Sequence, residues 1–83
     1  KIMPEEWETL GREAEKMVCK APNWMEASYL FQMVAPVIHH PVYYNLAFLE
    51  LPLSNNKIEL KKNTKIDADG YYRFSYFVRK VMD

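Results

Sequence analysis

Apolar residues recur at helical spacing through the first part of the chain and at alternate positions through the last, which predicts helices followed by strands. Over residues 4–20, Trp7, Leu10, Ala14, Met17 and Val18 form one apolar stripe. Pro4 suits a first helical turn, and Glu5, Glu6 and Glu8 favour the positive end of the helix dipole. Glu8 with Arg12, and Glu13 with Lys16, are spaced to pair on the wet face. Gly11 costs this helix roughly 1 kcal/mol against alanine, and so predicts a close crossing by another element. Ala21-Pro22 ends it.

A second helix is predicted over 23–36. Asn23 suits its N-cap, and Glu26 three positions on can close a capping box. Trp24, Ala27, Phe31, Val34 and Ile38 share one face, widened by Met25, Leu30, Met33 and Val37. A helix so apolar is expected between two surfaces, with Trp24 and Phe31 in the core. Pro36 and Pro41 bracket its end.

From Val42 to Leu51 the chain is aromatic and apolar with hints of a period of two, which suits a strand buried on both faces; a short third helix is the alternative. Pro52 to Asn56 is a turn cluster. Lys57 to Ile66 alternates, with Ile58, Leu60, Thr64 and Ile66 on one side and Lys57, Glu59, Lys61, Asn63 and Lys65 on the other. That is a half-exposed strand whose lysines oppose edge-to-edge aggregation. Asp67-Ala68-Asp69-Gly70 is a turn in which Gly70 can take a positive φ. A third strand over 71–81 carries Tyr72, Phe74, Tyr76 and Val78 on one face and Tyr71, Arg73, Ser75, Phe77 and Arg79 on the other. A helix over 71–82, with Phe74, Phe77, Val78 and Val81 inward, is its rival. The predicted fold is α+β: two N-terminal helices packed on a three-stranded antiparallel β-meander.

At 83 residues the chain fits one small domain, 1–83, and its termini read as those of a domain excised from a longer protein. A chain this short has a marginal core. Cys19 is its only cysteine, so no internal disulfide can help, and the setting is expected to be intracellular, cytoplasmic or nuclear. Twelve aromatics and five methionines exceed the needs of such a core, so part of that surface is expected to face a partner or a second copy. Lys1-Ile2-Met3-Pro4 does not follow the pattern of a signal peptide, and no apolar run is long enough to span a bilayer, so no membrane is expected. Formal net charge is zero, which argues against a general nucleic-acid binder. The charge is uneven, however: residues 57–83 hold seven basic and four acidic side chains, against four and seven in residues 1–56.

The stretch from Asp67 to Phe74 resembles part of a calcium-binding EF-hand loop. With Asp67 as first ligand the loop is about two residues short, and Tyr76 stands where the bidentate glutamate belongs, so the resemblance implies at most a degenerate, calcium-free module. The same stretch resembles the Asp-x-Asp-Gly turn and Tyr-x-Phe strand of transthyretin-like and pilin-type β-sandwich domains, which a helical first half fits poorly. A plain hairpin turn is the simpler reading. His39 and His40 are adjacent and so point apart, and no second pair has metal-ligand spacing; they are expected at the surface or as a cap, with no metal and no cofactor. Cys19 is expected as a core or near-core thiol. No phosphate loop, dinucleotide fingerprint, zincin motif or nucleophile elbow is present, so no enzyme is expected.

Tyr71, Arg73, Phe77 and Arg79, beside Lys57, Lys61 and Lys65, form the candidate partner-binding surface. Rings interleaved with cations enrich protein interfaces. They also stack bases and hold phosphates. The expected function is a non-catalytic protein–protein interaction or oligomerisation module of a larger protein. A small nucleic-acid-binding domain using the basic, aromatic C-terminal sheet face is the alternative.

Overall fold

Helix α1 (Pro4–Lys20) runs over the predicted span. A computed structural model describes residues 3–82; Lys1 and Ile2, which bore on the signal peptide, and Asp83 lie outside the described residues. Leu10, Ala14 and Val18 are fully buried, while Trp7 and Met17 pack at the margins of the core. The Glu6 carboxylate accepts the Met3 N–H at 2.9 Å and closes the first turn. Glu13 pairs with Lys16 at 3.0 Å, but among the described residues no ion pair joins Glu8 to Arg12. Cys19 is exposed, contrary to expectation, because Val18 beside it takes the inward position.

The second helix starts later than predicted. Met25–Glu26 remains extended as strand β1, and helix α2 spans Ala27–Val34, followed by a 3₁₀ turn at Ala35–Val37. Asn23 caps no helix; its side chain accepts the neighbouring Trp24 N–H at 2.8 Å. The competing pull is the sheet, where Met25 pairs with Val78 and Glu26 with Phe77. Main-chain pairing with a strand outweighs one further helical turn. The same pairing corrects the place of Trp24: strand alternation sets it on the outer side of the sheet, half-buried, while Phe31 on α2 is in the core as expected.

Residues 42–51 are not a strand. A 3₁₀ turn at Leu46–Leu49 leads into helix α3 (Glu50–Ser54). The Asn45 side chain accepts the Ala47 N–H at 2.9 Å, and Pro52 sits in the first turn of α3, where its missing N–H is harmless. Phe48, Leu49 and Pro52 are buried, and they lie where α1 carries Gly11: a Cβ there would come within 3.1 Å of both the Phe48 carbonyl oxygen and Pro52 Cδ. Gly11 therefore does mark a close crossing. Phe48 also meets Phe31 edge-on with ring centroids 5.1 Å apart. Among the described residues there are thus three α-helices rather than two, and the sheet, with β3 between β1 and β2, is not a meander.

Strand β2 (Ile58–Ile66) and strand β3 (Tyr72–Lys80) form an antiparallel hairpin, and the sheet order is β1-β3-β2. The helical rival for the last segment is absent. Gly70, at φ 83°, closes the turn by donating its N–H to the Asp67 carbonyl at 3.0 Å, and Asp67 N–H donates to the Tyr71 carbonyl at 3.0 Å. Strands flank this loop on both sides, where an EF-hand would have helices. The helices cover only the end of the hairpin remote from the turn, around buried Ile58 and Val78 and half-buried Leu60 and Tyr76. Each strand is nine residues long, so the hairpin continues well past the core.

The loop after α2 is tied to α1 by His40, whose Nε2 lies 2.9 Å from a Glu6 carboxylate oxygen; His39 is exposed. The Glu6 carboxylate holds the imidazole above its ordinary value of 6.5, and the bond to the Met3 N–H, then His40, hold the Glu6 carboxyl below 4.5. A raised base stabilises the fold below its ordinary pKa and loses that contribution as pH rises through the folded value. A lowered acid stabilises above its ordinary pKa and loses that contribution as pH falls through the folded value. The melting-temperature difference between the native chain and His40→Ala should therefore be greatest between about pH 4.5 and 6.5 and shrink on either side. A flat difference across pH 4 to 9 would show that the pair carries no stability.

Candidate functional site

The turn is organised by Asp67. Its Oδ1 accepts the N–H groups of Asp69 and Tyr71 at 3.0 and 3.1 Å, and its Oδ2 accepts Arg73 Nε at 2.7 Å. Arg73 first, then the Tyr71 amide, draw the Asp67 carboxyl below its usual range. With the turn set, the register follows: Lys65 opposes Arg73, Lys61 opposes Phe77 and Glu59 opposes Arg79. Residues directly opposite share a face, so the predicted surface is brought together on the outer side of the sheet. Lys57 stands at its foot and Tyr71 at the turn.

The cations on that face are largely engaged. Arg73 is bonded to Asp67, and Arg79 donates to Glu59 at 3.2 Å. Lys61 Nζ and Arg79 Cζ lie 4.4 and 4.5 Å from the centroid of the Trp24 ring. Trp24 thus belongs to this surface, which sequence reasoning missed by assigning it to a helix. The signal was the edge position of Trp24-Met25-Glu26, where alternation competes with helical spacing. Phe77 is half-buried beside Glu26.

The opposite face holds a second set of residues, which the sequence reading set on the same side of the strands as Ile58, Leu60 and Val78. Ile66, Tyr72 and Phe74 continue the row of half-buried Leu60 and Tyr76 and buried Val78 toward the turn. They lie beyond the helices, and their exposures are 62%, 65% and 56%. Lys62 Nζ, 4.1 Å from the Phe74 centroid, is the cation beside them. Alternation alone cannot show where the covering helices stop, so no local signal separated these residues from Val78.

Other parts of the chain carry less. A cleft of about 330 Å3 between the start of α1 and α3 is lined by Trp7, Glu8, Glu50, Leu51 and Ser54, whose hydroxyl is bonded to the Glu50 carbonyl at 2.8 Å. Among the described residues no three of His, Cys, Asp and Glu gather as metal ligands, and no helix is long and apolar enough to cross a membrane.

Helices over one face of a three-stranded antiparallel sheet, with a long hairpin overhanging them, place the chain in the α+β class. No protein-family model, no curated protein and no solved structure matches it significantly.

Proposed function

We propose that this chain is a non-catalytic protein–protein interaction or oligomerisation module that works through the overhanging β2–β3 hairpin inside the cell. The observation that carries the reading is the cluster of Ile66, Tyr72 and Phe74 on one exposed face, in a chain of zero net charge. Large apolar side chains gathered on a solvated sheet face lower their free energy when a partner covers them. The candidate surface of Tyr71, Arg73, Phe77 and Arg79 with Lys57, Lys61 and Lys65 forms the polar reverse of the same hairpin.

Nucleic-acid binding is the second reading, supported by the Trp24 ring beside Lys61 and Arg79 and by the lysine row of β2. Ile66, Tyr72 and Phe74 stand on the face away from most of the hairpin's cations, which favours protein. Base stacking with phosphate contact needs both on one face.

A photo-crosslinking phenylalanine analogue placed at Phe74 of the full chain, activated in living cells, tests the reading. A covalent adduct to protein is expected, with none when the analogue replaces exposed Tyr43. Absence of any adduct at Phe74 overturns the interaction reading. Adducts removed by nuclease, together with binding that weakens steeply with salt, would replace it by the nucleic-acid reading.

A further inference from the structure

Strand β2 is an outer strand of the sheet, with β3 on one side and, among the described residues, no strand on the other. In an antiparallel pair, residues alternate between those bonded to the neighbouring strand and those whose N–H and C=O point away from it. Asp67 with Tyr71, and Lys57 with Val81, are bonded pairs at the two ends of the hairpin. Counting by twos between them, Glu59, Lys61, Asn63 and Lys65 bond to β3. Leu60, Lys62, Thr64 and Ile66 therefore turn their N–H and C=O groups to the outer edge. Among the described residues, no main-chain bond from outside the sheet reaches any of the four. The connection from α3 stays at the foot of the strand, where the Lys57 N–H donates to the Pro52 carbonyl at 3.0 Å. Farther along, residues 61–66 are all exposed.

The charge along this edge is uncompensated. Glu59 is bonded to Arg79 and Asp67 to Arg73, so β3 holds the two carboxylates that flank these lysines in sequence. Among the described residues no ion pair reaches Lys61, Lys62 or Lys65. Lysines on an edge ordinarily exclude other strands. They exclude by charge, however, and so they discriminate: a basic strand is repelled and an acidic one attracted. A second copy offers no acidic strand. β3 carries Arg73, Arg79 and Lys80 without a carboxylate, and β2 carries Lys61, Lys62 and Lys65 against Glu59 alone. β1 is only Met25–Glu26 and is already paired.

We propose that the β2 edge takes an extended acidic segment of another protein, added to the sheet as a further strand beside residues 60–66. The proposal rests on the reading of the hairpin as a protein-interaction surface, and it names the chemistry of the partner. Main-chain bonds to Leu60, Lys62, Thr64 and Ile66 hold the segment, the usual source of affinity in strand addition. Its side chains alternate between the two faces. Carboxylates opposite Lys61 and Lys65 fall on the outer face, where cross-strand pairs of opposite charge are favourable. Apolar residues between them fall on the inner face, where the one opposite Ile66 extends the exposed row of Ile66, Tyr72 and Phe74.

Amide NMR of the full chain, titrated with synthetic peptides of about eight residues, tests it. One peptide alternates glutamate with valine, and a second has lysine in place of glutamate. A third is the glutamate peptide N-methylated at its valines, which keeps the charge and removes the donors that face β2. The glutamate peptide is expected to bind saturably, shifting the amides of Leu60, Lys62, Thr64 and Ile66 and slowing their exchange with solvent. The lysine and N-methylated peptides should bind at least about ten-fold more weakly. The double variant Lys61→Glu, Lys65→Glu should reverse the preference in favour of the lysine peptide. Lys65→Glu alone, which breaks no ion pair among the described residues, should shift it the same way. Absence of saturable binding up to about 1 mM overturns the inference. So does an N-methylated peptide that binds as tightly as its parent, or a single-stranded oligouridine that binds more tightly than the glutamate peptide. If the crosslinker at Phe74 captures a protein while the glutamate peptide fails to bind, strand addition falls and the interaction reading stands. If it captures nothing, that reading falls and the inference with it.

Discussion

Phe48→Ala is expected to destabilise the domain by about 3–5 kcal/mol, the usual cost of truncating a fully buried aromatic. Phe48 has no exposed surface and packs edge-on against Phe31 at 5.1 Å, with Tyr44 at 6.4 Å on another side. Its main chain also forms the surface on which α1 rests at Gly11. The loss is therefore a cavity at the junction of α1, α2 and the segment before α3, three elements that cannot easily close over it. For a single core of this size, whose stability rarely exceeds about 3–5 kcal/mol, that is most of the total. Urea unfolding followed by the fluorescence of Trp7 and Trp24 measures it. Tyr43→Ala is the control: an aromatic five residues away in the same segment, 87% exposed, whose loss should stay within about 0.5 kcal/mol. Equal effects at the two positions would mean that residues 42–51 do not pack as described.

Gly11→Val should follow closely in size, at about 3 kcal/mol, through overpacking rather than a void. A Cβ at Gly11 already stands 3.1 Å from a main-chain oxygen and 3.1 Å from a proline ring carbon, and neither belongs to a flexible side-chain end. The two γ-methyl groups of valine have no room without moving α3 from α1. Gly11→Ala separates this from helix propensity. Alanine improves the helix by roughly 1 kcal/mol, and the tight contact offsets that gain, so little net change is expected. Equal melting temperatures for the valine and alanine variants would show that the crossing is looser than 3.1 Å implies.

The candidate surface was legible in part. Lys61, Lys65, Arg73, Phe77 and Arg79 share a face because strand alternation and an Asp-Ala-Asp-Gly turn set both parity and register locally. Trp24 was not legible, because its partner in pairing, β3, lies some fifty residues away in sequence. Nor were Ile66, Tyr72 and Phe74, since their alternation is the same as that of buried Ile58 and Val78 and only the reach of the helices distinguishes them.

What the sequence determined by itself was everything governed by neighbours within a few residues. The α1 span, its buried Leu10-Ala14-Val18 stripe, the hairpin and its turn at Gly70 all follow from periodicity, proline and glycine. Long-range packing made every choice between two locally acceptable states. Met25–Glu26 could extend a helix or pair with a strand, and the free edge of β3 took it. Residues 46–54 are apolar enough for a buried strand, yet they coil against Gly11 because α1 leaves a groove there and Pro52 cannot donate to a ladder. Burial is a property of what lies opposite, and a chain's own periodicity contains no record of where its neighbours end.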